Sequence, residues 1–419
     1  MDRVLTDGID FFFLQTGSGL LALYWYVVVF EIPRYALGFA VVALLPLRPG
    51  AEAAQPKGRL SVAVVGHNEA DKIEHCIQAL HEQSRPPDEI IVVSDGSTDD
   101  MRKVLGDLLH QKKITAAHST DLRAGKSAAV NLAERHADAA FIAVVDCDCS
   151  FDRHAFRTAL QYLSDPKVGA VSGNILVRNE RTSLTAAVQA MEYLVSISLG
   201  RQAADMFGLV SCISGAFGVF RSTALAEVGG MDAGGGEDLD LTLRLRKEGW
   251  QVRFAADALC YTDVPATPDG LFRQRFRWER DSVRLRYRKH VDMMNPFSRK
   301  FRTVELLHEI EFLFFNVIGA AALPLYLIWL FVNTGTVGLV VLLGAQVGMI
   351  LLDFVIVMLA AHATPENRSS SLMPYIPAYS IFNGIFLRFI RLAAYVQEWV
   401  FYTSYSDTYC PEKVQMERL

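Results

Sequence analysis

Residues 55–270 predict an α/β domain on a parallel sheet covered on both faces, held between segments apolar enough to cross a membrane. Three observations predict it. Short runs rich in Val, Ile and Ala alternate with stretches of helical periodicity, the runs end in carboxylate- or amide-bearing residues, and long apolar runs lie on either side. Strands apolar along their whole length, separated by helices, are what a sheet buried on both faces requires.

The first apolar run, residues 18–47, is interrupted by Glu31, Pro33 and Arg34. It is too long for a signal-peptide core, and Asp2 and Asp7 lie where basic residues are expected, so residues 1–54 read as an N-terminal transmembrane segment. Within 55–270, "LSVAVVGHNE" (60–69) leads into the helical pattern "DKIEHCIQALHEQ". "EIIVVSDGSTDD" (89–100) repeats the design before "MRKVLGDLLHQ", and "AAFIAVVDCD" (139–148) is the third strand. In open sheets of this kind ligands bind at the carboxyl ends of the strands, so these polar termini converge on one crevice.

Residues 271–311 are basic: Arg273 to Arg302 holds eleven Lys/Arg against three acids. Positive charge beside a span marks the cytoplasmic side, which places the α/β domain there. Residues 312–332 and 336–361 are each long enough to cross a bilayer core of ~30 Å at ~1.5 Å per residue. Residues 362–419 form a polar connector, an amphipathic stretch at 381–401 and a tail. Asp353, inside the last apolar run, is costly to expose to lipid and so faces protein or water. Gly384, Arg388, Arg391, Tyr395 and Glu398 share one helical face, which suits an interfacial helix or a span lining a polymer path.

Composition agrees with a membrane protein: 51% of the 419 residues are hydrophobic, 21% are charged, and mean hydropathy is +0.21. The net charge is −5 and no nucleic-acid partner is expected. Six cysteines (76, 147, 149, 212, 260, 410) show no framework spacing, so reduced thiols are expected.

Asp146 and Asp148 end the third strand with cysteines between and after them. Two carboxylates without a nearby histidine suit Mg²⁺ or Mn²⁺ shared with substrate phosphates, and no Cys/His partners at zinc spacing occur, so Cys147 and Cys149 read as packing residues. Gly125-Lys126-Ser127 matches the tail of a phosphate-binding P-loop, but Thr120 stands where that loop needs its first glycine. Glu237 and Asp238 follow three glycines at a helix start, where they answer the helix dipole or meet a ligand approaching the backbone. "RQRFRWER" (273–280) joins Gln274, Arg277 and Trp278, suited to diphosphate binding and to stacking on a sugar ring.

The order of these pieces (Asn68-Glu69, Asp95-Gly96, Gly125-Lys126, Asp146-x-Asp148, Ser214-Gly215-Ala216, Glu237-Asp238, Gln274-x-x-Arg277-Trp278, then apolar spans) resembles the processive family 2 glycosyltransferases. These are membrane synthases of cellulose, chitin, hyaluronan and poly-N-acetylglucosamine. The resemblance covers about residues 58–300, where "VGAVSGNILVR", "QAMEY" and "SGAFGVFR" also look like family segments. It implies a GT-A type nucleotide-sugar domain inserted between transmembrane helices of a bacterial inner membrane. It further implies that Asp95 and Asp146 hold the nucleotide of a UDP-sugar, with Glu69 near the uracil and Lys126 near the nucleotide. Asp148, with Asp146, would hold the divalent cation. Of the acid pair Glu237-Asp238, Asp238 matches the general base. Gln274 and Arg277 would face the diphosphate and Trp278 the acceptor. Implied partners are the UDP-sugar, the growing polysaccharide, the bilayer and accessory export subunits. Two features depart from the family pattern: glycine precedes the acid pair where cellulose and chitin synthases carry threonine, and "ERDS" follows Trp278 in place of a glycine-containing turn. Two rival functions follow from the same residues. One is a non-processive transferase loading a single sugar onto a polyprenyl phosphate; the other is a non-catalytic polymer-export component.

Overall fold

A computed structural model describes residues 2–44, 55–232, 234–366 and 369–406. Its centre is an eight-stranded sheet in the order β3-β2-β1-β4-β7-β6-β8-β5. The strands are β1 (Leu60–Gly66), β2 (Glu89–Asp95), β3 (Ala116–Thr120), β4 (Phe141–Asp146), β5 (Ser150–Phe151), β6 (Val168–Val177), β7 (Phe217–Arg221) and β8 (Gln251–Thr262). β1 to β4 are mutually parallel; β1, β2 and β4 are the three strands expected from sequence, and β3 adds a fourth that was not. Alternation splits their side chains between two cores. Val62, Val64, Ile90, Val92, Ala143 and Val145 pack under the helices Ile73–His81, Met101–His110 and Ala155–Tyr162. Ala63, Val65, Ile91, Val93, Ile142 and Val144 pack against Lys126–His136 and Glu237–Lys247.

The wholly parallel sheet expected from sequence needs correction, because the sheet is mixed. β7 runs antiparallel to both β4 and β6, and β5 runs antiparallel to β8. The reason lies in where the chain enters β7: Phe217 pairs with Val145, so segment 211–216 arrives beside the carboxyl end of β4. Only three strands carry near-continuous Val/Ile runs; the antiparallel strands are short, Phe217–Arg221 with a glycine inside it and Ser150–Phe151 with two residues. β1 has β2 on one side and β4 on the other, so the connections leave in opposite directions and open a crevice at the carboxyl ends.

Among the described residues one helical stretch, Thr303–Ala363, is long and apolar enough to cross a membrane. The pair Gly17–Leu23 and Val27–Gly38, bent by 77°, passes the same test as a unit. Gly335, at φ 56°, breaks the long stretch into two arms, and both pack along the N-terminal helices. Tyr26 donates to the Gly319 carbonyl at 3.0 Å and Tyr326 to the Leu23 carbonyl at 2.9 Å, while Tyr35 donates to Asp353 on the other arm. Asp353 therefore faces protein. The outward sides of the arms leave Leu325, Ile328, Val332, Leu343, Val347 and Leu351 exposed, more apolar surface than a water-facing helix normally presents.

The polar stripe expected at 381–401 is covered by protein. The helix Leu387–Phe401 packs along the helix Pro268–Arg284, which carries Gln274, Arg277 and Trp278. Arg388, 0% exposed, pairs at 2.8 Å with Glu31, 3% exposed, and also donates to the Phe315 carbonyl. Three wide π-helical turns meet there: Val27–Glu31 carries the carboxylate, Leu313–Ile318 offers the carbonyl, and Phe382–Phe386 precedes the arginine. Removing one partner strands a buried charge, so Arg388→Met is expected to cost about 3–5 kcal/mol. Glu31→Leu combined with Arg388→Met should recover a large part of that loss. Denaturant unfolding of the detergent-solubilised protein measures both; equal losses in the single and double variants would rule the pair out as the cause.

Candidate active site

The crevice is a cleft with a cavity volume of about 790 Å³, and all ten residues singled out from sequence line it. Its floor is the row of strand ends. After β1, Asn68 adopts φ 57° and its Oδ1 accepts from the Thr98 amide at 2.7 Å, while its own amide donates to Ser97 Oγ at 3.0 Å. The β1 and β2 loops are thereby laced together. Glu69 pairs with Lys72 at 3.0 Å, and burial pushes its carboxyl above the usual range.

Asp95, at the end of β2, accepts from the amides of Ala124 at 2.8 Å and Gly125 at 2.7 Å. Both oxygens thus shape the turn that delivers Lys126, with Gly125 at φ 92° starting its helix. The Lys126 ammonium pairs with Asp146 and donates to the Gly215 carbonyl at 2.9 Å. Burial works against its charge, but Asp146, Glu237 and Asp238 outweigh that and hold it above the usual lysine range. Burial pushes Asp146 upward, and Lys126 opposes the shift.

Asp148 is differently placed. Its carboxylate accepts from Thr262 Oγ1 at 3.2 Å, and its carbonyl accepts from Arg178 at 2.9 Å, which fixes the loop. Cys147 and Cys149 are buried in the core beneath. Among the described residues no group of three or more His, Cys, Asp or Glu side chains could hold a metal by itself. The donor set fits a hard cation that draws its remaining ligands from phosphate oxygens. Asp148 would be the principal ligand, because Asp146 is shared with Lys126.

The opposite wall begins at the glycines. Gly236 has φ 70°, and a Cβ on Gly235 would sit 2.3 Å from Asp281 Oδ2. Arg284 donates to the Gly235 carbonyl at 2.5 Å. Glycine stands before the acid pair because Asp281 and Arg284 press on this backbone. Glu237 and Asp238 then open the helix Glu237–Lys247 with their backbone in its first turn. Asp238 Oδ1 accepts from the Leu239 amide at 2.8 Å. Burial, reinforced by Asp238, pushes the Glu237 carboxyl up to about 7. A carboxyl raised on folding favours the folded state at low pH, and that contribution disappears as pH rises through the raised value. Wild type should therefore lose thermal stability relative to Glu237→Gln between about pH 5 and pH 8. A melting difference that stays constant across that range would contradict the shift.

On the helix Pro268–Arg284, Gln274, Arg277 and Trp278 lie at i, i+3 and i+4 and share one face. Sequence reasoning passed over the residue that organises them. Arg275, 2% exposed, donates to Glu192 at 3.0 and 2.6 Å and to Gln274 Oε1 at 3.0 Å, and its guanidinium lies 4.3 Å from the Trp278 ring centroid. The available signal was the "QAMEY" segment, whose Glu192 is Arg275's partner.

Residues 56–280 match the model of the family described as "Glycosyltransferase like family 2". The chain belongs to glycosyltransferase family 2. Among curated relatives of this glycosyltransferase, the poly-β-1,6-N-acetyl-D-glucosamine synthase of Staphylococcus epidermidis is 29% identical over 223 residues, 52% of this chain and 53% of that one. The synthase of the same name from Staphylococcus aureus is 28% identical over 245 residues, 58% of each. The glycosyltransferase thus spans about half the length of the curated relatives it matches. Among solved structures, a mannosyltransferase from Pyrobaculum calidifontis in complex with GDP-Man and Mn²⁺ superposes with a TM-score of 0.61 at 20% identity, over 90% of this chain and 99% of that one. That likeness establishes a shared GT-A-like α/β fold.

Proposed function

We propose that this glycosyltransferase polymerises a β-linked polysaccharide from a UDP-sugar, UDP-N-acetylglucosamine or UDP-glucose, with inversion at the anomeric carbon, and moves the product across the membrane. One observation carries the reading. The Asp238 carboxylate, the Asp146/Asp148 pair and the Gln274-Arg277-Trp278 face line a single cleft. A donor bound along the floor has its diphosphate at Asp148 and Arg277, and its anomeric carbon turned toward Asp238. Asp238 takes the proton from the acceptor hydroxyl as that oxygen attacks. Trp278, 37% exposed, offers its face to the acceptor ring. Asp148 and Asp146 would hold a divalent cation, which would supply charge neutralisation for a leaving diphosphate. The Mn²⁺ and nucleotide sugar of the Pyrobaculum mannosyltransferase support a nucleotide-sugar donor and a divalent cation in general, and the named staphylococcal synthases support N-acetylglucosamine as the sugar.

The proposed organisation is a membrane-spanning segment at 1–54, a cytoplasmic catalytic domain at 55–270, an interfacial region at 271–311, spans within 312–361 and an associated C-terminal helix in 362–419, in a bacterial inner membrane. Residues 45–54 and 407–419, which include part of the first apolar run and the tail, lie outside the described residues. Incubating membranes with single UDP-sugars and Mn²⁺ and sizing the product tests the function. A long glycan is expected. A single sugar on polyprenyl phosphate would establish the non-processive rival, and no turnover with any UDP-sugar would leave only an export role.

A further inference from the structure

The polar face of the helix Leu387–Phe401 divides into residues with different surroundings. Arg388 is closed into its pair with Glu31. Glu398 accepts from Arg288 at 2.7 Å and from the Ser404 amide at 2.9 Å. Neither reaches the cleft. Arg391 does, standing in the wall that also carries Glu192, Tyr193, Gln274 and Trp278. Its Nε donates to Glu279 at 2.9 Å, and the other Glu279 oxygen accepts from the Tyr395 hydroxyl at 2.6 Å. Its Nη1 is buried and has no hydrogen-bond partner among the described residues. A buried donor left unmade is unfavourable, and a ligand oxygen relieves it.

We propose that Arg391 is an acceptor-binding residue whose Nη1 donates to a hydroxyl of the glycan seated beyond Trp278. This rests on the polymerising reading above and extends it to a subsite built by the C-terminal helix. Charge balance selects the ligand class. Arg275 is matched by Glu192 and Arg391 by Glu279, so these two guanidiniums offer directed donors with their charge already balanced. That chemistry suits a neutral polyhydroxyl ring, whereas a phosphate is held by uncompensated cations.

The test uses the full chain in detergent, Arg391→Gln, a β-1,6-linked N-acetylglucosamine oligosaccharide as acceptor and UDP as nucleotide probe. Acceptor KM should rise about tenfold, the scale of one charged-donor hydrogen bond, with UDP affinity holding within about twofold. An unchanged acceptor KM overturns the subsite. So does a matching loss of UDP affinity, which would make Arg391 a support for Glu279 and the motif helix. Should Arg391→Gln fail to fold, Arg391→Lys decides: the shorter lysine can keep its one nitrogen against Glu279 but puts none at the Nη1 position, so the same rise in acceptor KM is expected. If the unaltered enzyme transfers only to polyprenyl phosphate, the polymerising reading fails and the glycan subsite with it. Transfer to oligosaccharide with unchanged KM in the variant removes the subsite alone.

Discussion

Asp148→Asn is expected to abolish sugar transfer, and EDTA is expected to do the same to the unaltered enzyme until Mn²⁺ or Mg²⁺ is returned. The reason is electrostatic. The cleft that must receive a diphosphate already holds Asp146, Asp148, Glu237 and Asp238, and Lys126 is committed to Asp146, which leaves Arg277 beside a surplus of carboxylates. Two unit charges at 4 Å interact by ~4 kcal/mol at an effective dielectric near 20, so a diphosphate entering among these carboxylates meets strong repulsion unless a cation intervenes. Asp148 is the carboxylate best placed to recruit it: its side chain is held by the Thr262 hydroxyl, and among the described residues no lysine or arginine forms an ion pair with it. The isosteric asparagine keeps that contact and removes only the charge. UDP affinity with and without Mn²⁺ provides a second readout, since the Mn²⁺-dependent gain should vanish in the variant. Activity persisting in EDTA would sink the assignment.

How legible the molecule was depends on which residues carry their own signal. β1, β2 and β4 could be read because strands buried on both faces must be apolar throughout, and no soluble helix needs that pattern between glycine- and aspartate-rich turns. β7 and β5 could not. Five and two residues long, they are set antiparallel by the paths of the connections, which local composition does not encode. The cleft residues were legible because order along the chain carries family information that each motif lacks alone. Arg275 escaped notice because its meaning is a contact with Glu192, 83 positions away. The C-terminal stripe shows the same limit in another form. Helical spacing correctly puts Arg388, Arg391 and Glu398 on one face, but it cannot reveal that Glu31, Glu279 and Arg288 are waiting there. A face that sequence offers to headgroups or to a polymer is mostly consumed by ion pairs within the protein, and of these three residues Arg391 is the one that also lines the cleft.

Asp238→Asn is expected to slow transfer by ~10²-fold or more, the usual scale for removing a positioned proton acceptor, while UDP affinity is retained. The substitution is clean because the amide oxygen can still accept from the Leu239 amide, so the helix start is preserved. What it removes is the ability to hold a proton. Glu237 is the competing candidate, since its carboxyl is pushed up to about 7 and so stands near the operating pH of a general base. The two separate by experiment. If Asp238 is the base, Glu237→Gln costs less than Asp238→Asn, because it leaves the Asp238 side chain in place near Lys126. It also changes the pH dependence of the rate, because one titrating neighbour is gone. If Glu237 is the base, that order reverses. A loss of UDP affinity in proportion to the loss of rate in Asp238→Asn would contradict both assignments, because it would make the acid pair part of the nucleotide site rather than the place where the acceptor hydroxyl gives up its proton.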